Sequence, residues 1–193
     1  LQVRYISAEG QVITGGGPTV KNVSGFDLPR LMCGALGTLG LIAEVTLRTN
    51  PIPAVQQWVR VAAAPIEVAN TILRPGCVLF DGTSTHVLVE GHAPDVHASI
   101  RDLERLGACT TTDGPPELGP HRWSLPAAEA LAPATYGHDT GASVAVVQVG
   151  TVFAARPQPP RSPDAASMEI GRRLRERFDP TGRLNPGRNP LVR

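Results

Sequence analysis

Three glycines at three-residue intervals, Gly34, Gly37 and Gly40, lead directly into a stretch where Leu41, Ala43, Val45 and Leu47 alternate with Glu44, Thr46 and Arg48. A period of two is that of a strand with one buried face, so a strand is predicted over residues 41–49, with Ile42 breaking the alternation. The glycines before it strip side chains repeatedly from one loop. Backbone N–H groups in such a loop can approach an anion closely or turn with positive φ, as phosphate-cradling loops do. A tight glycine turn between helix and strand satisfies the same spacing. The segment is neither a GxGxxG that follows a strand nor a Walker loop, because no Gly-Lys-Ser/Thr follows.

The flanking sequence predicts an α+β fold. Residues 2–7 and 11–14 are β-like runs around Ala8-Glu9-Gly10, which predicts a hairpin with Gly10 at a positive φ. Pro51 and Pro53 cannot donate to a β-ladder and mark a boundary, with a second unit starting near Gln56. Within it, residues 58–63 and 85–90 read as strands. Asp95 is the expected cap of a helix whose Val96, Ile100, Leu103 and Leu106 share a face, with Gly107 as its stop. Residues 110–120 read as a surface loop and 143–149 as a buried strand. Four prolines over residues 156–163 predict an extended connector. Beyond it, Asp164 caps a helix with Ile170, Leu174 and Phe178 as its apolar stripe and Pro180 limiting its end. The expected division is therefore 1–55, 56–155 and 156–193.

Composition removes several functions. Eighteen basic and 17 acidic side chains leave a formal charge of +1, which provides no electrostatic footprint for nucleic acid or anionic lipid. Cys33, Cys77 and Cys109 are odd in number and widely spaced, fitting neither a disulfide framework nor a metal site, so a reducing, cytoplasmic setting is expected. No apolar run reaches the length of a membrane span. His86, His92, His97, His121 and His138 form no HxxH or HExxH pair, which points to solvated or packing roles. The serines lack a nucleophile elbow. Arg172, Arg173, Arg175 and Arg177 read as a solvated helix face, and Trp58 and Trp123 as core or edge aromatics.

Two longer matches give the loop a context. KNVSGFDLPRL followed by GALGTLGLIAEVTLR resembles the second glycine-rich FAD-binding segment of the vanillyl-alcohol oxidase type (PCMH-type) flavoproteins, in particular that of their glycolate-oxidising members. Phe26 stands where that pattern has Tyr, and Ala35 where it has Ser. FDPTGRLNPGR, residues 178–188, is similar to the C-terminal F-D-P-x-G-x-x-N-P-G of the same proteins. In isolation it reads as a helix stop followed by a turn, with Pro186 biasing Asn185 towards an extended backbone. The strand ending near G-x-G-x-x-H in relatives aligns with residues 149–153, where Phe153 replaces the His.

The resemblance implies an FAD-dependent oxidoreductase. It points to Gly34, Gly37, Thr38, Gly40, Ile42 and Asn185 as cofactor-binding residues. It further implies the second half of an FAD domain over residues 1–55, a cap or substrate domain over 56–155, and a helix and tail that return to the FAD domain. A 2-hydroxy acid such as glycolate is the implied substrate, with hydride passing to FAD; a second flavin subunit and an iron–sulfur subunit are the implied partners. Members carry a further glycine loop upstream, so the chain is expected to begin partway through the flavin domain. The competing expectation is an interaction subunit that no longer holds FAD. No catalytic base and no metal ligand is identified.

Overall fold

The computed structural model of the 193-residue chain describes residues 1–19, 25–131, 143–159 and 162–191. In chain order the described elements are β1 (Gln2–Ile6), β2 (Val12–Gly16), α1 (Leu28–Met32), β3 (Leu41–Thr46), β4 (Val55–Val61), α2 (Pro65–Thr71), β5 (Cys77–Phe80) and β6 (Thr85–Gly91). They continue with α3 (Ala93–Glu104), β7 (Cys109–Thr112), β8 (His121–Ser124), α4 (Ala127–Ala130), β9 (Ser143–Val146), β10 (Thr151–Ala154) and α5 (Ala165–Phe178). The mixture of helices with antiparallel sheets is α+β. The chain divides into two compact units, Leu1–Asn50 with Pro160–Arg193, and Pro51–Pro159.

The first unit is built on a three-stranded antiparallel sheet of order β2-β1-β3. The β1–β2 hairpin turns at Gly10, whose φ of +79° suits a residue without Cβ. The Ser7 hydroxyl accepts from the N–H groups of Glu9 and Gln11 and donates to the Glu9 carboxylate. Val3 and Tyr5 of β1 form the core with Met32, Ala35 and Leu39, against which Leu174 and Phe178 of α5 pack. Asp27 caps α1 by accepting from Arg30 N at 3.1 Å, and Pro29 sits in the first turn, where no N–H is needed.

Two sequence expectations for this unit are corrected. The alternation over residues 41–49 predicted one buried face, yet the strand ends at Thr46 and all six of its residues are exposed. β3 is an edge strand, and the core stands on the central strand β1 and does not extend across β3. Ile170 was placed on the buried stripe of α5 but is 60% exposed. Successive steps of four drift by about 40° around a helix of 3.6 residues per turn; the inward side is Ser167, Gly171, Leu174 and Phe178, each half-buried. A Cβ on Gly171 would stand 2.6 Å from Leu191 Cδ1, so the tail lies against that glycine. The cap of α5 is Asp164, which accepts from Ser167 N at 2.8 Å.

The second unit is a seven-stranded antiparallel sheet of order β7-β4-β6-β5-β9-β10-β8. Val59 and Val61 of β4, Val87 and Val89 of β6, and Val78 of β5 face one side and are sealed by Val68 of α2 and Val96 and Leu103 of α3. Trp123, Ala145 and Val152 continue this face towards α4, where Ala130 packs on them. The helix expected to be capped by Asp95 starts three residues earlier: Pro94 fits its first turn, His92 precedes it without a side-chain cap bond, and Asp95 lies within the first turn. Gly107 follows the helix because a Cβ there would meet Ala62 O at 2.4 Å. The loop expected over residues 110–120 begins inside strand β7, whose ladder is supplied by β4 from Trp58 to Val61. Among the described residues no helix is long and apolar enough to cross a membrane.

Candidate functional site

Both sequence motifs lie in the first unit, and one hydrogen bond joins them. After α1 the chain turns through Gly34 (φ +84°), Leu36 (φ +52°) and Gly37 (φ +74°) before entering β3. Leu36 is the unusual member, because a branched, Cβ-bearing residue adopts positive φ at a cost. The turn is closed from within: Cys33 N–H donates to Pro29 O, Ala35 N–H to Met32 O, and Thr38 N–H to Ala35 O. The N–H groups of Leu36 and Gly37 donate to no acceptor among the described residues. Consecutive backbone donors left open in left-handed conformations make a concavity suited to an anion or a carbonyl oxygen.

The second motif is shaped by Asp179, which sequence reasoning treated only as part of a turn. Its carboxylate accepts from Arg183 N at 2.9 Å and from Leu184 N at 2.8 Å, while Gly182 N–H returns to Asp179 O. Removal from water pushes the carboxyl up, but the Leu184 and Arg183 N–H groups and the Thr181 hydroxyl outweigh this and hold it below the ordinary range. The loop so fixed presents Asn185 at φ +41°, a left-handed conformation that Asn tolerates better than most residues. Asn185 Nδ2 donates to Leu36 O at 2.6 Å. The bias towards an extended backbone expected from Pro186 is overridden. Arg175 donates to Arg188 O, tying the tail to α5.

The six residues expected at the cofactor thus occupy different situations. Gly34, Gly37 and Asn185 meet in the joined loop. A Cβ added to Gly37 would touch only Asn185 atoms, at 3.9 Å, so that side is otherwise open. Thr38 is 1% exposed, and its hydroxyl donates to Ala35 O at 2.7 Å, so it supports the loop from beneath. Gly40 is buried, and a Cβ there would stand 2.5 Å from Tyr5 Cδ2, a packing demand within the protein. Ile42 lies on β3, paired with Tyr5. Beside Gly34 a cavity of about 650 Å³ is lined by Cys33, Ala35 and Thr38 of the loop, Met168 and Arg172 of α5, and Leu191 of the tail.

Of the positions that depart from the motifs, Phe26 is exposed, Ala35 is buried in the core of the first unit, and Phe153 is a half-buried strand residue of β10 paired with Val144 and Arg122. Residues 21–24 of the first motif and His138 lie outside the described residues. The arginine face of α5 is salt-bridged: Arg172 to Glu169 and Glu176, and Arg173 to Glu169. These two guanidinium groups hold the Glu169 carboxyl down to about 2. Trp123 is buried and donates to Arg156 O at 2.7 Å. Among the described residues no group of three His, Cys, Asp or Glu side chains could hold a metal ion.

No protein-family model matches the chain. Curated proteins do. The glycolate oxidase subunit GlcE of Escherichia coli (strain K12) is 32% identical over 107 residues, which is 51% of this chain and 30% of that protein. The glycolate oxidase subunit GlcD of Bacillus subtilis (strain 168) is 30% identical over 99 residues, 47% of this chain and 21% of that protein. A D-lactate dehydrogenase of Archaeoglobus fulgidus is 41% identical over 51 residues, 26% of this chain and 12% of that protein. The chain thus spans less than a third of the length of each of these relatives, which are oxidoreductases named for glycolate and D-lactate. The joined glycine and Asn-Pro-Gly loops therefore belong to a homologue of glycolate oxidase subunits, matched over about half of its own length.

Proposed function

We propose that the chain is part of an FAD-dependent oxidoreductase acting on a 2-hydroxy acid such as glycolate, and that the joined loops of the first unit face the cofactor. The observation that carries this reading is the bond from Asn185 to Leu36 beside the open N–H groups of Leu36 and Gly37. A loop braced from a distant segment, with donors left open, fits an acceptor-rich cofactor. When bound, FAD accepts the hydride of the substrate carbon. The chain's own residues do the holding. Leu36 and Gly37 offer backbone donors, Gly34 and Gly37 keep the approach free of side chains, and Thr38 and Asp179 fix the two loops. Gly40 and Ile42 contribute by seating the loop on β1. In this reading residues 1–55 are half of a PCMH-type flavin domain, 56–155 form the cap or substrate domain, and 156–193 complete the flavin domain. A second flavin subunit and an iron–sulfur subunit are the proposed partners.

The test is flavin content after purification of the protein with Gly37→Val. A branched side chain at a φ of +74° beside Asn185 closes the loop. Flavin absorbance per mole is expected to fall well below that of the parent; equal absorbance overturns the cofactor assignment.

A second reading, an interaction subunit that holds no FAD, is favoured by one observation: every residue of β3 is exposed, including Leu41, Ile42 and Val45. An apolar outer strand is a ready surface for a partner. Flavin-free parent protein that still co-purifies with glycolate oxidase subunits supports it.

A further inference from the structure

β3 has a sequence that calls for a buried face and a position in the sheet that gives it none. Val45 lies directly opposite Val3, so it shares the core side of the sheet, yet it is 48% exposed; Leu47, two residues on, is 67% exposed. The ladder with β1 stops at the Gln2–Thr46 pair, and Leu47, Arg48 and Thr49 carry on the alternation with no ladder partner among the described residues. The outer edge of β3 is open as well, because β1 is its one neighbour among them. The edge strand β8 of the second unit is treated differently: Gln158 occupies its backbone, accepting from Ser124 N and donating to Ser124 O, each at 3.0 Å. An open edge flanked by apolar side chains is a template for a further strand.

The other face of β3 carries charges that select that strand. Arg4 and Glu44 are directly opposed, with Arg4 Nη1 2.9 Å from Glu44 Oε2, which leaves Glu44 Oε1 without a bond among the described residues. Arg48, four residues on and on the same side of an extended chain, is exposed and makes no ion pair or hydrogen bond among them. A free carboxylate oxygen and a free guanidinium at this spacing are self-complementary. When two copies run antiparallel about a two-fold axis at Thr46, Glu44 faces the partner's Arg48, Val45 faces the partner's Leu47 and Thr46 faces the partner's Thr46. An axis at Glu44 opposes two carboxylates, and one at Val45 or Leu47 leaves both charges unmatched. The register with β1 skips Ala43, a bulge that ends the regular edge just before Glu44.

We propose that the outer edge of β3 pairs with β3 of a second copy of this chain, antiparallel and in register about Thr46. The two three-stranded sheets become one of six strands. On the core side Val45 and Leu47 of both copies cover one another, which gives the alternation its buried face; on the other side two Glu44–Arg48 ion pairs form. The pairing rests on this sheet and on neither reading of the function, since it needs no flavin and no companion subunit.

The experiment is sedimentation equilibrium of the full chain from micromolar to millimolar concentration, where a monomer–dimer equilibrium is expected. Arg48→Glu sets Glu44 against a like charge, and Glu44→Arg does the same to Arg48, so each variant alone should dimerise at least tenfold more weakly than the parent. Mixed in equal amounts, the two variants match charge at both ends of the paired segment, and a heterodimer within a few-fold of the parental affinity is expected. That recovery distinguishes a paired edge from a variant that fails to fold. A parent chain that stays monomeric, a dimer that tolerates Arg48→Glu, no recovery on mixing, or assemblies larger than a dimer overturns the pairing. Flavin absorbance of the same samples is read separately: a monomer that retains flavin refutes the pairing alone, and a flavin-free dimer with the expected charge response refutes the cofactor assignment alone.

Discussion

Asn185 donates its side-chain amide to the backbone carbonyl of Leu36 across a sequence separation of 149 residues. Both residues hold left-handed backbone conformations, with φ of +41° and +52°. Each loop alone would pay for that conformation without return; joined, the amide satisfies the carbonyl and locks both turns. Two substitutions separate the contributions. Asn185→Gly keeps the backbone relaxed and removes the bond, for an expected loss of about 1 kcal/mol. Asn185→Ala removes the bond but keeps a Cβ at positive φ without the relief that Gly provides, so it should cost about 1–2 kcal/mol more than Asn185→Gly. Urea unfolding of both variants checks the order; equal losses would show that the backbone conformation contributes nothing.

Asp179 supplies a pH dependence whose sign is fixed. Its carboxyl is held below the ordinary carboxylate range by the Leu184 and Arg183 N–H groups and the Thr181 hydroxyl. A carboxyl depressed on folding contributes stability above its unfolded pKa, about 3.9, and loses that contribution as pH falls through the folded value. Stability that falls as the solution is acidified below about pH 4 is therefore expected, and Asp179→Asn should flatten that part of the curve. At neutral pH the same variant should cost about 1–2 kcal/mol, the bonds to a charged acceptor being reduced by nearby solvent. Denaturant midpoints measured across this range for parent and variant give the comparison.

The sequence was informative where structure is set locally. Gly10 marked the hairpin, Asp164 the start of α5, and Val96, Ile100 and Leu103 the packed side of α3, whereas Leu106 lies in the turn after the helix ends at Glu104. Where a residue's role depends on a distant partner, the pattern misled. Gly40 read as part of an anion loop, yet its lack of a side chain is required by Tyr5 of β1. Leu41 and Val45 read as core, yet theirs is an edge strand with every residue exposed. Strands of four residues such as β5 and β8 are too short to show a period. Asp179 carried a signal in its Asp-Pro-x-Gly turn, but only the folded loop reveals that both carboxylate oxygens are used.

The contrast between Gly40 and Gly37 is itself testable. Gly40→Ala drives a Cβ to 2.5 Å from the Tyr5 ring and 3.3 Å from Ile6 O, so overpacking of about 1–3 kcal/mol is expected. Gly37→Ala meets no close atom and costs only the strain of positive φ, about 1–2 kcal/mol. If Gly37 faces the cofactor and Gly40 faces Tyr5, flavin retention relative to folded protein should fall for Gly37→Ala and hold for Gly40→Ala. Retention falling equally in both would place the two glycines in the same role.

Phe178 and Ile170 test which side of α5 is buried. Both are large, apolar and on the same predicted stripe, but Phe178 packs on the cluster of Val3, Tyr5, Met32, Ala35 and Leu39, whereas Ile170 is 60% exposed. Full burial of a Phe would make its truncation cost about 3–5 kcal/mol. Phe178 is half-buried, so Phe178→Ala should cost less, about 1–3 kcal/mol, because part of the ring already contacts water and the gap can fill from outside. Ile170→Ser removes little buried area and should stay within about 0.5 kcal/mol of the parent. Because Phe178 immediately precedes Asp179, loosening it should also free the loop that carries Asn185. Hydrogen exchange at the Arg183 and Leu184 amides, both bonded to Asp179, should therefore accelerate in Phe178→Ala and remain unchanged in Ile170→Ser. Comparable exchange in the two variants would show that the helix end and the loop are not mechanically linked, and that Asp179 alone orders the motif.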